Sequence, residues 1–300
     1  MKKRLFRSVV AGIMGAMLVA CGSASDPAED AAITDASSDT PLAATPADEN
    51  LPEDVQAIID RGVLKVGVKN AVVGFGYEDP LTGEYTGMEI ELAKALADKL
   101  GVDVEFTAVT AATRTELLDS GDIDCVLATF TITDERKESW DFTTPYYTDH
   151  VSVLVEDSKG IKSLGDLSDM TVGVSSGSTS AKSLVKAMIE EGLISGDGFD
   201  EESFDPATWT EGVKFRQYDD YPTISTALSA GEVDAFCVDK SILAIYKTEG
   251  RSYIDAEFAP QDYGIATTKG SGLSKVAEEL VTDSFENGTI DKLISENGLD

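Results

Sequence analysis

An internal repeat is the feature that most limits how this chain can fold. Residues 113–129 align without gaps on residues 223–239. Each copy has the pattern of a helix, a glycine that ends it and an apolar strand. A further strand precedes each copy, over residues 64–68 and 170–174. The repeat predicts two α/β lobes built on one plan, with a chance resemblance between two strand–helix–strand units as the alternative.

Helical and strand patterns alternate in the first copy, as a parallel sheet requires. They predict a helix over 89–100, a strand over 102–108, a helix over 114–119 and a strand over 123–128. Ligands of open α/β sheets bind beyond the carboxyl ends of the strands. This rule selects residues 69–70, 110–114 and 129–131 in the first lobe and 175–180 and 239 in the second. Two such edges facing each other would form a cleft for a small molecule.

The selected edges carry polar chemistry of both signs. The run from Ser175 to Ser180 brings hydroxyls and backbone N–H groups to a predicted helix start, which suits a carboxylate or phosphate, with plain helix capping as the alternative. Lys69, Arg114 and Arg136 are cations in a chain of net charge −31, and Asp239 has the opposite sign. Cations, hydroxyls and one carboxylate are complementary to a zwitterion such as an α-amino acid.

The composition excludes several other classes of function. With 24 Lys+Arg against 55 Asp+Glu, the chain lacks the cations that a nucleic-acid binder uses to neutralise phosphates. A single histidine, His150, and three cysteines argue against a multi-histidine metal site or a Ser-His-Asp hydrolase. We expect no metal and no cofactor. Cys125 and Cys237 lie in apolar runs and are predicted to be buried free thiols, with a disulfide as the alternative.

The N-terminal region predicts where the protein is located rather than how it folds. Residues 1–20 combine a basic start and a short apolar run and read as a lipoprotein signal peptide, because small residues precede Cys21, the expected lipidation site. An ordinary secretory signal is the alternative. Residues 21–54 carry no Lys or Arg and predict a disordered acidic tether, or else a segment packed on the body. The protein would then be anchored on the outer face of the cytoplasmic membrane, in the periplasm if there are two membranes.

The body resembles a known family through several ordered motifs. They occupy residues 66–69, 82–93, 131–136, 141–147, 177–179 and 233–235. On these motifs the chain is similar to the bacterial solute-binding proteins of family 3, which deliver polar amino acids to ABC importers, and within them to the glutamate, aspartate and glutamine subgroup.

The resemblance implies a two-lobe α/β fold of the periplasmic-binding-protein type (type II, Venus flytrap) with a cleft between the lobes. Residues 55–150 together with 262–300 would form lobe 1, and residues 151–261 would form lobe 2. Two crossing segments are expected near residues 148–154 and 258–265.

The resemblance also implies how the cleft would hold an amino acid. Arg136 would clamp the α-carboxylate with help from Thr131 and Thr179. Asp239 and the carbonyl or hydroxyl of Thr129 would take the α-ammonium.

The same resemblance implies a set of residues around the ligand's side chain. Arg114 and Lys69 would read a side-chain carboxylate, Ser178 belongs to the run of hydroxyls, and Phe75, with Tyr77, would supply an apolar wall. Val72 and Ala111 stand where relatives that bind basic amino acids have aromatic rings, which argues against lysine or arginine as the ligand.

The function implied is capture of a polar amino acid by lobe closure, as the lipid-anchored extracytoplasmic binding protein of an ABC importer. Glutamate or aspartate is favoured and glutamine comes next. The expected partners are the amino acid, the importer's permease and the membrane, and the protein is expected to be a monomer and not an enzyme. An enzyme on the same fold, such as a dehydratase acting on a small carboxylate, and an amino-acid sensor lobe are the alternatives.

Overall fold

The computed structural model describes residues 51–300, which lie within one compact unit, Asp48–Asp300. The expected signal peptide, the lipidation site Cys21 and the tether up to residue 50 lie outside the described residues. The first helix spans Glu53–Arg61. It therefore begins inside the segment expected to be a disordered tether, because Asp54 accepts a hydrogen bond from the Ser271 hydroxyl and is held on the body.

Nine α-helices are assigned within residues 51–300. They are α1 (Glu53–Arg61), α2 (Met88–Leu100), α3 (Thr113–Ser120), α4 (Asp134–Ser139), α5 (Ser180–Glu190), α6 (Tyr221–Ser229), α7 (Lys240–Leu243), α8 (Leu273–Glu286) and α9 (Thr289–Glu296). None of the helices in this part of the chain is both long enough and apolar enough to cross a membrane.

The strands fall into two main sheets and a small three-stranded one. They are β1 (Val63–Val68), β2 (Ala71–Val72), β3 (Gly76–Glu78), β4 (Tyr85–Thr86), β5 (Asp103–Ala108), β6 (Cys125–Leu127), β7 (Trp140–Phe142), β8 (Tyr147–Glu156), β9 (Thr171–Ser175), β10 (Lys214–Tyr218), β11 (Ala235–Asp239), β12 (Arg251–Tyr253), β13 (Phe258–Tyr263) and β14 (Ala266–Thr268). Sheet 1 has the order β5-β1-β6-β14-β7, and sheet 2 has the order β10-β9-β11-β8-β12. The hairpin strands β2, β3 and β4 form the third sheet.

The repeat in the sequence corresponds to equivalent structures in the two sheets. In each, a helix (α3 or α6) leads to a strand (β6 or β11) that pairs parallel with the preceding repeat strand (β1 or β9). The Asp124 carboxylate accepts the backbone N–H of Lys65 at 2.7 Å, and Asp234 accepts that of Thr171 at 3.0 Å. The four residues occupy equivalent positions of the repeat, so the same carboxylate ties strand to strand in both sheets.

A glycine in each repeat strand lets an isoleucine of the same repeat pack closely against the strand. A Cβ on Gly67 of β1 would lie 2.6 Å from Ile123, and one on Gly173 of β9 would lie 2.7 Å from Ile224. A Cβ at either position would force the isoleucine side chain to shift, so glycine permits the close packing seen here.

Two antiparallel strands connect the sheets. The chain leaves sheet 1 after β7, enters sheet 2 through β8, and returns from β13 to β14 of sheet 1. β8 and β13 pair with each other, with a register shift between Phe258 and Pro260. We call β8 and β13 the crossing strands; they contain residues 148–154 of the first expected segment and residues 258–263 of the second, expected near 258–265. The lobe boundaries at 150/151 and 261/262 fall inside these strands and stay a prediction.

The core is apolar and contains the two cysteines of the described chain. Sheet 2 and helix α5 enclose a cluster that includes Cys237, and the largest cluster, which includes Cys125, extends from sheet 1 to Phe236 of sheet 2. Both thiols are free and buried, as the sequence predicts.

Candidate functional site

A narrow cavity, with about 10 Å³ of space for the centre of a water-sized sphere, lies where the carboxyl ends of the two sheets meet. Its walls come from both repeats and consist of Ala111, Arg114, Thr129, Thr131, Ser178, Thr179, Ser180, Tyr221, Val238 and Asp239. The strand-end rule applied to the sequence therefore selects residues that the fold brings together. We call this space the central cavity.

Arg136 joins the two lobes beside the central cavity. It lies on α4, whose start is capped by the Thr133 hydroxyl accepting the Arg136 N–H. Its guanidinium donates to the Thr131 carbonyl at 2.7 Å and to the Gly177 carbonyl at 3.1 Å. Arg136 also lies over the Phe130 ring, 4.7 Å from its centre. The arginine thus holds the lobe edges in contact and is positioned beside the hydroxyls predicted to bind a carboxylate.

Arg114 is buried, and part of its donor capacity holds the backbone. Nη1 donates to the carbonyls of Ala128 (2.8 Å) and Thr129 (3.1 Å), and the guanidinium lies 3.9 Å from the centre of the Phe130 ring. Nε has no hydrogen-bond partner among the described residues. Burial lowers the pKa of Arg114. Arg114 therefore shapes the strand end as well as facing the cavity, a structural role that the sequence did not indicate.

Thr129 has an unusual backbone, with φ of 44° in the left-handed region. Its N–H donates to the carboxylate of Glu89 at 2.6 Å, and the same carboxylate oxygen accepts the Tyr146 hydroxyl at 2.6 Å. Its carbonyl, one of the two groups expected to meet the α-ammonium, already accepts Arg114. Its hydroxyl is buried at the cavity without a described partner. Of the three polar groups of Thr129, only the hydroxyl therefore makes no hydrogen bond to a described residue.

Asp239 is the last residue of β11, and only one of its two carboxylate oxygens has a described hydrogen-bond partner. Oδ2 accepts a hydrogen bond from the Tyr263 hydroxyl, while Oδ1 is buried and unpaired. The Asp149 carboxylate, on crossing strand β8, lies 3.4 Å from the same hydroxyl. Burial, followed by the negative charge of Asp149, raises the pKa of Asp239 to about 7, against the opposing effects of Tyr263, Arg114 and Arg136. A cationic ligand group at Oδ1 would relieve this unfavourable environment.

Lys69 lines a neighbouring cavity, with about 30 Å³ of space for the centre of a water-sized sphere, which shares Ala111 and Tyr221 with the central cavity. The side chain is 4% exposed and makes no hydrogen bond or ion pair within residues 51–300; its ammonium lies 5.5 Å from the centre of the Tyr221 ring. Burial, and then the charge of Arg114, lower its pKa well below the usual value. Lys69 is thus a buried amine that makes no ion pair with a described residue, although Asp219 and Asp220 line the same cavity.

The remaining predicted residues divide into cavity and core. Thr131 and Thr179 line the central cavity, and both hydroxyls donate to the side-chain oxygen of Gln261. Ser178 also lines it, but its hydroxyl donates to the Ser175 carbonyl at 2.7 Å. Phe75 is a correction: it lies in the core rather than on the cleft wall.

The position of Phe75 has a packing cause. Its ring makes edge contacts with Tyr147 and Tyr263, with centroid distances of 5.1 and 5.6 Å, and is fully buried. The Phe75 ring therefore packs in the core against a tyrosine of each crossing strand. The apolar surface of the cavity comes instead from Ala111, Tyr221 and Val238.

Five polar residues of the site were not selected from the sequence. They are Glu89, Asp149, Tyr221, Gln261 and Tyr263. Glu89 could have been selected from the sequence, because it is a carboxylate between the apolar residues Met88 and Ile90. In the structure it is fully buried. The partners of Asp149, Gln261 and Tyr263 lie far away in the sequence, and no local pattern reveals them.

Other parts of the molecule offer weaker sites. A wider cavity of about 500 Å³ beside β7 contains Lys137 and Lys269, but these are paired with Asp134 and Asp141. Within residues 51–300 no group of His, Cys, Asp and Glu side chains has the arrangement of a metal site. His150 is exposed on β8 rather than at the central cavity.

Known proteins share both the sequence pattern and the fold. Residues 64–297 match the family model described as bacterial extracellular solute-binding proteins, family 3. The chain is 34% identical over 221 residues to a glutamine-binding protein of Geobacillus stearothermophilus, covering 72% of this chain and 76% of the relative. It is 32% identical over 253 residues to the L-cystine-binding protein TcyJ of Escherichia coli (strain K12), covering 82% and 85%.

A solved structure with the same architecture is the ancestral amino acid-binding protein AncCDT-1, a precursor of cyclohexadienyl dehydratase. It is 31% identical, with a TM-score of 0.66, and the match covers 81% of this chain and 98% of that one. The family match spans most of the chain and both repeats, and it agrees with the two-lobe α/β architecture described above. The chain therefore belongs to the bacterial extracellular solute-binding proteins of family 3.

Proposed function

We propose that this chain is the substrate-binding protein of an ABC importer and captures a polar amino acid between its lobes, with glutamate or aspartate preferred and glutamine next. One observation carries the proposal. Four buried polar atoms on the wall of the central cavity have no partner among the described residues: Arg114 Nε, Thr129 Oγ1, Ser180 Oγ and Asp239 Oδ1. Buried polar atoms are normally hydrogen-bonded, so this set indicates a missing polar partner.

The chemistry of these atoms favours a zwitterion. Arg114 Nε is a donor, Asp239 Oδ1 is an acceptor, and the two hydroxyls can be either. Arg136, beside the same cavity, adds a guanidinium that can reach a carboxylate. A ligand whose α-carboxylate lies near Arg114 and Arg136 and whose α-ammonium lies at Asp239 Oδ1 would have each of its two charges paired. Because the cavity wall comes from both lobes, such a ligand would favour the lobes in contact.

Lys69 supports an acidic side chain. A buried ammonium without an ion-pair partner is unfavourable, and Asp219 and Asp220, which line the same cavity, are exposed and make no ion pair with it. A side-chain carboxylate extending from the central cavity past Ala111 would reach the neighbouring cavity and pair with this ammonium. Glutamine could also accept from Lys69 or Arg114 through its amide oxygen, but it would form no ion pair with either. Relatives named for binding glutamine and L-cystine support a polar amino acid as the ligand.

Calorimetric titration of residues 48–300 against glutamate, aspartate, glutamine, arginine and a neutral sugar tests the proposal, after unfolding and refolding to remove any carried ligand. Lys69→Met keeps the length of the side chain and removes only the charge. We expect it to weaken glutamate binding about tenfold or more and glutamine binding by less than about threefold, since only glutamate loses an ion pair. No binding of any amino acid would refute the function, whereas equal losses for both ligands would refute the acidic preference.

The proposal also includes a location, on the membrane, and a partner, the importer's permease. Acyl chains on Cys21 would anchor the protein outside the cytoplasmic membrane, where the monomer would present its ligand-bound form to the permease. Mass spectrometry of the protein from a bacterial host tests the anchor, because a diacylated N-terminal cysteine at position 21 has a defined mass. Cys21→Ser should abolish both the modification and membrane association.

A dehydratase function is the second candidate, favoured by one feature. A carboxyl group whose pKa is raised to about 7, such as that of Asp239, is suited to general acid–base catalysis at neutral pH. The AncCDT-1 neighbour relates this fold to such an enzyme. Incubation with cyclic hydroxy-carboxylates and detection of their dehydration products tests it. Product formation that is lost in Asp239→Asn would favour the enzyme over the binding protein.

A further inference from the structure

Gln261, on crossing strand β13, connects the two lobes through one side-chain atom. The residue is 3% exposed. Its side-chain oxygen accepts the Thr131 hydroxyl at 2.9 Å and the Thr179 hydroxyl at 2.6 Å. Thr131 follows the end of β6 in sheet 1, and Thr179 precedes α5 on sheet 2. One amide oxygen therefore bridges the two edges that face the central cavity.

The orientation of this amide is fixed by its nitrogen. Nε2 donates to the carbonyls of Ala259 at 2.9 Å and Pro260 at 3.3 Å. Ala259 has a left-handed φ of 47°, at the register shift between β13 and β8, and this irregularity places its carbonyl within reach of the amide. With both N–H groups donated to carbonyls, the oxygen must be the atom that faces the two hydroxyls.

The two hydroxyls are the ones expected to bind a ligand carboxylate, yet their protons are already used. A threonine hydroxyl carries a single proton, and both Thr131 and Thr179 donate theirs to Gln261. Neither can donate to a carboxylate while this contact lasts. The Gln261 oxygen therefore takes the place that one oxygen of an α-carboxylate would take.

We propose that Gln261 is an affinity-determining residue: its amide oxygen stands in for a ligand carboxylate oxygen, bridges Thr131 to Thr179, and competes with the ligand for both hydroxyls. The inference rests on the proposed function, because it requires an amino-acid carboxylate at these hydroxyls. It also assigns Gln261 a role in the ligand-free protein. Together with the contact between Arg136 and Gly177, the bridge holds the lobes in contact before a ligand arrives.

Two substitutions of opposite expected effect test the competition, using residues 48–300, which contain every described helix and strand. Gln261→Met preserves the volume of the side chain and removes the amide oxygen, so L-glutamate, or L-glutamine if it is the tighter ligand, should bind about three to ten times more tightly. Gln261→Glu keeps an acceptor for the hydroxyls and adds a negative charge beside the ligand carboxylate, so affinity should fall. A purely structural role would lower affinity in both variants.

Calorimetry gives outcomes that separate this inference from the proposed function. If the wild type binds glutamate or glutamine and Gln261→Met binds no more tightly, the competition is wrong and the proposed function stands. If the wild type binds no amino acid, the proposed function and the competition fail together.

A second measurement tests the bridge without ligand. Spin labels at the exposed positions Asp103 of sheet 1 and Lys214 of sheet 2 report the separation of the lobes. In the ligand-free protein, Gln261→Met should shift the distance distribution away from that of the wild type. Identical distributions in Gln261→Met and the wild type would overturn the bridging role.

Discussion

At the scale of single residues, Thr129 combines backbone strain with an unused hydroxyl. A β-branched residue rarely adopts a left-handed conformation, and such strain persists only where surrounding contacts impose it. Here Glu89 accepts the Thr129 N–H, and Arg114 donates to its carbonyl. The conformation of Thr129 therefore depends on two buried charged residues, Glu89 and Arg114.

Thr129→Gly should affect stability and binding in opposite directions. Glycine relieves the left-handed strain, which is worth about 1 kcal/mol, and removes a buried hydroxyl without a described partner, so the free energy of unfolding should not fall. The ligand, however, loses a hydrogen bond, so its affinity should decrease. Urea unfolding and calorimetric titration measure the two effects. A variant that loses both stability and affinity would contradict the assignment of strain.

Asp239 should make ligand binding depend on pH near neutrality. Its pKa in the folded, ligand-free protein is raised from 3.8 to about 7, and an α-ammonium requires the ionised form. Affinity should therefore rise as the pH increases from about 5 to 8, and binding at pH 6 should release a proton. Titration in buffers of different ionisation enthalpy measures this release. Asp239→Asn should bind weakly with no such dependence.

The same shift has a consequence for stability with a definite sign. Because the folded protein binds this proton more tightly than the unfolded chain, the contribution to stability is complete below about pH 4 and is lost as the pH rises through about 7. In the absence of ligand, Asp239→Asn should therefore be less sensitive than the wild type to an increase from pH 5 to 8. Equal pH profiles of unfolding for both proteins would show that the carboxyl is not perturbed.

At the scale of helices and strands, the local pattern predicts most of the described elements. The helix predicted over 114–119 is α3 (Thr113–Ser120), and both repeat helices are followed by a left-handed glycine, Gly121 and Gly231. Alternating hydrophobicity and a terminal glycine act within a few residues, so the sequence contains them. The strand-end rule then locates the hydroxyls and cations.

The part of the site that the sequence does not predict lies on the crossing strands. Gln261 meets Thr131 across 130 residues, and Tyr263 meets Asp149 across 114. These contacts depend on how β8 and β13 pair between the sheets, and no periodicity encodes that pairing. Phe75 was misplaced for the same reason, because its partners Tyr147 and Tyr263 belong to the crossing strands.

The loop from β9 to α5 provides a test of lobe contact at this scale. Gly177 has φ of 74°, and a Cβ there would lie 2.8 Å from the Ala111 carbonyl oxygen and 2.9 Å from the Ala112 Cα. These are backbone atoms of the facing sheet edge, so they cannot rotate out of the way as a side chain could. Gly177→Ala should therefore force the edges apart and weaken ligand binding by about tenfold or more, in addition to the cost of about 1 kcal/mol for left-handed alanine.

Gly192→Ala is the matched control. Gly192 has a similar φ of 69°, and a Cβ there would meet no atom within 4 Å. It should lose stability by a similar amount, measured by urea unfolding, and keep full ligand affinity. Comparable affinity losses in both variants would mean that backbone strain rather than lobe contact causes the effect.

At the scale of the whole molecule, the two sheets share a continuous apolar core. The largest buried cluster includes Leu64 and Val66 of β1 together with Tyr221, Ile224 and Phe236 of the second repeat. Surface ion pairs add little to stability, and most of those in the described chain have exposed partners. The burial that spans both sheets therefore favours unfolding as one cooperative unit.

Ligand should increase the stability of this unit as a whole. A ligand that binds only the folded protein adds about 2.7 kcal/mol to the free energy of unfolding at a concentration of 100 times Kd. Because the surface exposed on unfolding hardly changes, urea titrations should show one transition whose midpoint rises at a constant slope. Two transitions, with only one shifted by glutamate, would show that the ligand binds within a single lobe, and that result would contradict capture between the lobes.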